Sequence, residues 1–197
     1  PYANNMNNGD SIYMHHNSFY AGGDAFRSTG SSYRPIVFLY NQLHQCGVYD
    51  EGRASYRKYE HNTVKAGATY EWFEIRSSDL LGSNDGYLSV SYNTFEKGRV
   101  YMYGMSIHDN ATASIHVNNN TFGSGSYGIY LSYLYNYTNE TDNLDISILN
   151  NTIDGIHNGG NNYAGYGAYL YLRQKGAKVH FENNQISGVN QGLYINS

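Results

Sequence analysis

The sequence predicts an all-β solenoid of about seven stacked coils, and three observations predict it. An apolar alternation runs into an asparagine seven times, it resumes beyond each asparagine, and the intervals between the asparagines vary without disturbing the pattern. The clearest copy is Ser114-Ile115-His116-Val117-Asn118-Asn119-Asn120-Thr121-Phe122. With Asn120 as reference, its equivalents are Asn17, Asn41, Asn62, Asn93, Asn151 and Asn184, at successive spacings of 24, 21, 31, 27, 31 and 33 residues. A recurring unit of this size with variable inserts is the signature of a stacked repeat.

Each element of the repeat has a physical reason. Five residues before the asparagines stand Ile12, Ile36, Arg57, Leu88, Ile115, Ile146 and Val179; three before stand Met14, Phe38, Tyr59, Val90, Val117, Ile148 and Phe181. Arg57 is the one entry of the fourteen that is neither apolar nor aromatic. Two after the asparagines come Phe19, Leu43, Val64, Phe95, Phe122, Ile153 and Ile186. A period of two on both sides of a polar bend reads as strand, bend, strand. A short strand cannot bury its apolar face alone, so the repeats stack, with equivalent positions ~4.8 Å apart as neighbours in parallel sheets. The asparagine is expected to take the positive φ of the bend, and its amide both donates and accepts along such a stack.

A second strand is expected after the bend, and four of these begin alike: Val100-Tyr101-Met102-Tyr103, Ile129-Tyr130-Leu131-Ser132, Ala168-Tyr169-Leu170-Tyr171 and Leu193-Tyr194-Ile195-Asn196. With the aliphatic set inward, Tyr101, Tyr130, Tyr169 and Tyr194 form an outward column flanked by Tyr103 and Tyr171, and Tyr70 and Trp72 are candidates to extend it. Extra residues of the longer coils fall in polar loops: Gly22 to Arg34, Ser77 to Gly86, Tyr133 to Leu144 and Gly155 to Gly165. On a solenoid such loops cluster on one side and carry binding surfaces.

The repeated asparagine turn resembles that of the pectin-lyase-like superfamily, whose coils carry an asparagine ladder at one bend. The resemblance covers roughly residues 10 to 197 and implies a right-handed parallel β-helix with loop insertions, one domain spanning 1–197. It implies little about activity, since that fold carries lyases, hydrolases, spikes and adhesins alike.

Composition narrows the function classes. Charged residues make up 14% of 197, the net charge is −4, and tyrosine (23) and glycine (22) abound, a balance unlike that of a nucleic-acid partner. No apolar run is long enough to span a bilayer. Cys46 is the only cysteine, so neither a disulfide framework nor a thiolate metal site is expected. The chain begins with Pro1 and not Met, as a processed mature protein or a portion of a longer one does. Neither end reads as capped, so further coils or another subunit are expected to continue it.

Catalytic patterns are weak. Polysaccharide lyases of the resembled fold gather carboxylates for calcium beside a basic residue on adjacent coils. Here the outward positions of the first strand read Tyr13/His15, Val37/Leu39, Lys58/Glu60, Ser89/Ser91, His116/Asn118, Ser147/Leu149 and His180/Glu182, with no such gathering. Glu71, Glu74 and Asp109 remain weak candidates for a loop-built glycosidase pair, with solvated carboxylates the simpler reading. His116 and His180 share a column two coils apart, ~10 Å, too far for one metal. Neither a cofactor nor a metal is expected.

Five Asn-X-Thr sequons stand at Asn110, Asn119, Asn136, Asn139 and Asn150, within a stretch from Tyr101 to Leu172 that has no lysine or arginine. Thr63, Thr94, Thr121 and Thr152 form a further column, which sheet propensity explains. The expected function is therefore non-catalytic: an extracellular or cell-surface β-helix glycoprotein in an appendage, filament or adhesin, self-associating through coil edges or tyrosines. The alternative is a carbohydrate-active enzyme or glycan-binding domain, with substrate over Lys58, Glu60, His116 and Asn118 or over the tyrosines.

Overall fold

The computed structural model describes residues 2–3, 11–20, 22–29, 35–52, 54, 56–65, 71–76, 86–107, 112–126, 128–136, 144–155, 166–172 and 177–196. Within them the chain is a right-handed parallel β-helix, built of strands with no helix among the described residues. Three parallel sheets run its length. Sheet 1 holds the strands that precede the asparagines: Ile12–His15, Ile36–Leu39, Tyr56–Glu60, Gly86–Ser91, Ala113–Asn118, Leu144–Leu149 and Lys178–Glu182. Sheet 2 holds seven shorter strands that come after them, from Ser18–Tyr20 to Gln185–Ser187. Sheet 3 carries the tyrosine-bearing strands, among them Gly47–Asp50, Glu71–Arg76, Gly98–Tyr103, Gly128–Asn136, Tyr166–Leu172 and Gln191–Asn196.

Each coil thus has two strands after its asparagine where the alternation suggested one. The sheet 2 strands are as short as Thr94–Phe95, too brief for a period of two to separate them from the next strand of the coil. The register is otherwise the expected one. Ile12, Ile36, Arg57, Leu88, Ile115, Ile146 and Val179 lie side by side across sheet 1, as do Thr63, Thr94, Thr121 and Thr152 across sheet 2. The core is the space between the sheets, lined by the three apolar columns and by Val48, Phe73, Val100, Ile129 and Ala168 from sheet 3. Within it the rings of Phe95 and Phe122 stack at 4.8 Å. Val179, Phe181 and Ile186 on the last described coil are only partly buried.

The ladder asparagines sit at the corner between sheets 1 and 2, and those of the middle coils are buried. The Oδ1 of Asn120 accepts from the backbone N–H of Asn93 (2.9 Å) and from its Nδ2 (3.1 Å); its own Nδ2 donates to the Val90 carbonyl (2.8 Å) and to Asn151 Oδ1 (3.0 Å). The same set recurs at Asn41, Asn62, Asn93 and Asn151. A buried amide is tolerated because its donors and acceptor are matched.

The positive φ, however, belongs to the residue before each ladder asparagine. His16, Tyr40, His61, Tyr92, Asn119, Asn150 and Asn183 have φ between 54° and 59°, and the ladder asparagines are not among the positive-φ residues. The left-handed residue turns the chain, which frees the next asparagine to point inward and bond along the axis.

Where the second coil passes into the third, charge replaces apolar core. Arg57 stands in an inward column of sheet 1 and Asp50 in an inward column of sheet 3, beside Ile75, and both side chains are fully buried. Arg57 Nε lies 2.8 Å from Asp50 Oδ2, a contact of charge and not an aligned hydrogen bond. The same oxygen accepts from the Tyr59 hydroxyl (2.7 Å), and Oδ1 accepts from Gly52 N–H (2.8 Å), whose carbonyl receives Arg57 Nη2. Burial, reinforced by the Asp50 carboxylate, pushes the Tyr59 phenol well above its ordinary value. A Cβ on Gly52 would lie 2.5 Å from Ser28 Oγ and 3.0 Å from Asp50 Oδ1, so a larger residue there would displace these side chains. The cluster ties the loop between sheets 3 and 1 to the core.

Candidate functional site

Three outward surfaces carry the chemistry-bearing side chains. The first is sheet 1, where strand pairing places Lys58, Ser89, His116, Ser147 and His180 in one row and Glu60, Ser91, Asn118, Leu149 and Glu182 in the next. These groups bond mainly to one another. Lys58 Nζ lies 3.0 Å from Glu60 Oε2, and the other carboxylate oxygen accepts from Ser89 Oγ at 2.6 Å. Ser89 and Ser91 are 3.0 Å apart. One coil on, Asn118 Nδ2 donates to Ser147 Oγ (3.0 Å), which also lies 2.7 Å from His116 Nδ1.

The electrostatics follow from this pairing. The hydrogen bond to Glu60 holds Lys58 above its ordinary value. Burial lowers the pKa of His116, against the opposing pull of Asp145 and Glu60. Glu60, Ser89, Ser91 and Ser147 are buried beneath their neighbours although they point outward from the sheet. His116 and His180 have Ser147 between them, two coils apart as expected. Among the described residues no three histidine, cysteine, aspartate or glutamate side chains gather where they could share a metal ion.

The second surface is the tyrosine column of sheet 3. Tyr101, Tyr130, Tyr169 and Tyr194 are in register, with ring centroids 5.1, 4.5 and 5.0 Å apart along the series. The last three rings are nearly parallel, with interplanar angles of 4° and 10°. The spacing is that of parallel strands, so the backbone sets it and the rings fill it. Tyr103 and Tyr171 flank the column but are separated from each other by Ser132.

The expected extension by Trp72 is corrected. Trp72 pairs with Arg99, two residues out of the column, and Tyr70 lies outside the described residues. The column continues through Glu74 and Tyr49 to Arg27, whose guanidinium lies 4.6 Å from the Tyr49 ring centre. Glu74 is buried, at 5% exposure, where a solvated carboxylate was the simpler reading. Glu71 pairs through its backbone with Gly98, and Asp109 lies outside the described residues.

The third surface escaped the sequence reading. The left-handed corner positions carry an aromatic stack, His16–Tyr40–His61–Tyr92, with centroids 5.1, 4.6 and 4.9 Å apart and interplanar angles of 14°, 9° and 9°. All four are exposed. Bulky side chains at positive φ are strained, and the ring stacking offsets part of that cost. A histidine or tyrosine directly before four successive ladder asparagines was the available signal.

These surfaces define a right-handed parallel β-helix with one internally bonded polar face, one tyrosine face and one aromatic corner. No family model, no curated protein and no solved structure matches the chain. Its function therefore has to come from the faces themselves.

Proposed function

We propose that this chain is a non-catalytic structural and interaction β-helix of the pectin-lyase-like type, displayed outside the cell as part of an appendage, filament or adhesin, with the tyrosine column as its lateral binding face. The observation that carries this reading is the stacking of Tyr130, Tyr169 and Tyr194. Rings packed face to face hide the surfaces on which a sugar would lie, and turn their edges and phenol groups outward. Such an edge suits a protein surface, where tyrosine supplies contact area at low entropic cost. A second copy of the chain is the simplest partner.

The polar face supports the same reading. A lyase or hydrolase needs a carboxylate or base aimed at substrate. Glu60 is instead engaged by Lys58 and Ser89, and His116 by Ser147. No helix among the described residues is long and apolar enough to cross a membrane.

Sedimentation and light scattering of the purified chain across a wide concentration range test the proposal. Association is expected, and the triple variant Tyr101→Ser, Tyr130→Ser, Tyr169→Ser should abolish it with the far-UV spectrum unchanged. A chain that stays monomeric throughout refutes it. The glycan-binding alternative draws on Tyr20, 76% exposed and stacked on His44 at 4.2 Å, a ring at the end of a stack. Binding to a polysaccharide panel that Tyr20→Ala removes would favour that alternative.

A further inference from the structure

We propose that Asn119 and Asn150 are N-glycan attachment sites on the left-handed corner, and that Tyr92 is the seat for the first sugar on Asn119. The inference rests on the extracellular reading above. It deepens that reading by naming the modification and the residues that receive it.

Each of the two sequences Asn-Asn-Thr contains an inner and an outer asparagine. The inner ones, Asn120 and Asn151, are at most 1% exposed, and their amides are committed to the ladder. The outer ones are the sequon acceptors. Asn119 and Asn150 have φ of 57°, their backbone N–H groups bond to Leu149 and Glu182 carbonyls, and among the described residues neither side-chain amide has a hydrogen-bond partner. Thr121 and Thr152, which complete the sequons, are exposed. The bend therefore separates a buried structural asparagine from an outer one, half-buried at Asn119 and exposed at Asn150, within a single motif. The Thr63 and Thr94 coils have the same threonine but His61 and Tyr92 at the corner, so they lack an acceptor.

Along the corner, aromatic residues occupy four coils and asparagine the next three. Tyr92 is the last ring. One of its faces stacks on His61; the position beyond it, one coil or ~4.8 Å along, is Asn119 and not another ring. Tyr92 is 52% exposed. A pyranose attached at Asn119 would lie over the remaining ring face, burying its C–H groups against an aromatic surface. Asn150 has only Asn119 and Asn183 as corner neighbours. The two sites thus differ in whether the sugar gains a packing partner. Of the other sequons, Asn110 and Asn139 lie outside the described residues, and Asn136 falls within the strand Gly128–Asn136.

The chain should be secreted from a eukaryotic host with one control sequon added in an exposed terminal tag, then mapped with a protease other than trypsin after amidase release of glycans. Modification is expected at Asn119 and Asn150, with Thr121→Ala and Thr152→Ala each removing it at its own site. Both sites bare beside an occupied control would overturn the assignment. The seat is tested by a double-mutant cycle: Thr121→Ala should lower the melting temperature more in the parent than in the Tyr92→Gly background, since glycine keeps the left-handed turn without the ring and, unlike asparagine before Asn93-Thr94, adds no new sequon. Equal shifts would overturn the Tyr92 role. A glycosylated monomer would sink only the assembly reading, and an associating but unmodified chain only this one.

Discussion

Removing one rung of the asparagine ladder should cost more than any other single polar substitution at the corner, and by an amount that depends on where the rung lies. Asn120→Ala deletes the acceptor for Asn93 N–H and for one Nδ2 hydrogen of Asn93, and the donor to Val90. Asn93 is itself 1% exposed, so its two stranded donors have no water to turn to. At about 1–3 kcal/mol for each buried group left unsatisfied, the two donors alone make the loss about 2–6 kcal/mol. Asn17→Ala removes only donations from an exposed residue, to Asn41 Oδ1 and the His15 carbonyl, and Asn41 Oδ1 retains the Asn17 backbone N–H; a cost below about 1 kcal/mol is expected. Asn120→Asp keeps the acceptor but sets a carboxylate against the Val90 carbonyl and Asn151 Oδ1, so it should be at least as damaging at neutral pH as alanine. Urea unfolding followed by far-UV circular dichroism, with the slopes compared between variants, reads these differences. Equal losses at Asn17 and Asn120 would refute the idea that the ladder holds the coils through satisfied burial.

Asp50→Leu should destabilise by about 3–5 kcal/mol because it leaves the Arg57 charge buried without its counterpart, and adding Arg57→Leu should restore most of that in the same urea assay. At the corner, Tyr40→Asn exchanges two ring contacts for a residue that accepts the left-handed turn, and should change stability by less than about 1 kcal/mol; Tyr40→Val, branched at positive φ, should cost about 2 kcal/mol or more. His116 adds a pH dependence: with its folded pKa below the ordinary 6.5, the unfolded chain binds more protons between the two values. Stability should therefore fall as the pH drops through 6.5, and His116→Gln should flatten that part of the curve of urea midpoint against pH.

The architecture was legible because it is written in repeated apolar positions, and a column of seven cannot be produced by one local preference. The tyrosine column was legible for the same reason from Tyr101 onward, and became illegible before it, where Glu74 and Tyr49 take the place without a shared motif. Arg57 was visible as an exception in its column, but Asp50 was not, because its strand, Gly47–Asp50, lacks the pattern of its neighbours. The positive φ was assigned one residue late. Asparagine is the usual left-handed residue, and in the coils of Asn120 and Asn151 two adjacent asparagines compete for the role; only the aromatic coils, where His61 or Tyr92 takes the turn, show which of the two bends. The bonded network of Lys58, Glu60, Ser89 and Ser91 lay beyond sequence reading, since spacing shows which groups are neighbours but not whether they satisfy each other.

At every corner a single left-handed residue directly precedes the ladder asparagine, whereas the successive asparagines stand anywhere from 21 to 33 residues apart. Length and girth are therefore independent quantities in this molecule. Each added coil extends the axis by one increment of ~4.8 Å, whatever its residue count. The asparagine corner works as a graduated rule against which loops of any size can be inserted, exchanged or duplicated, and side chains on neighbouring coils stay at a fixed pitch while the outline between them is free to diverge.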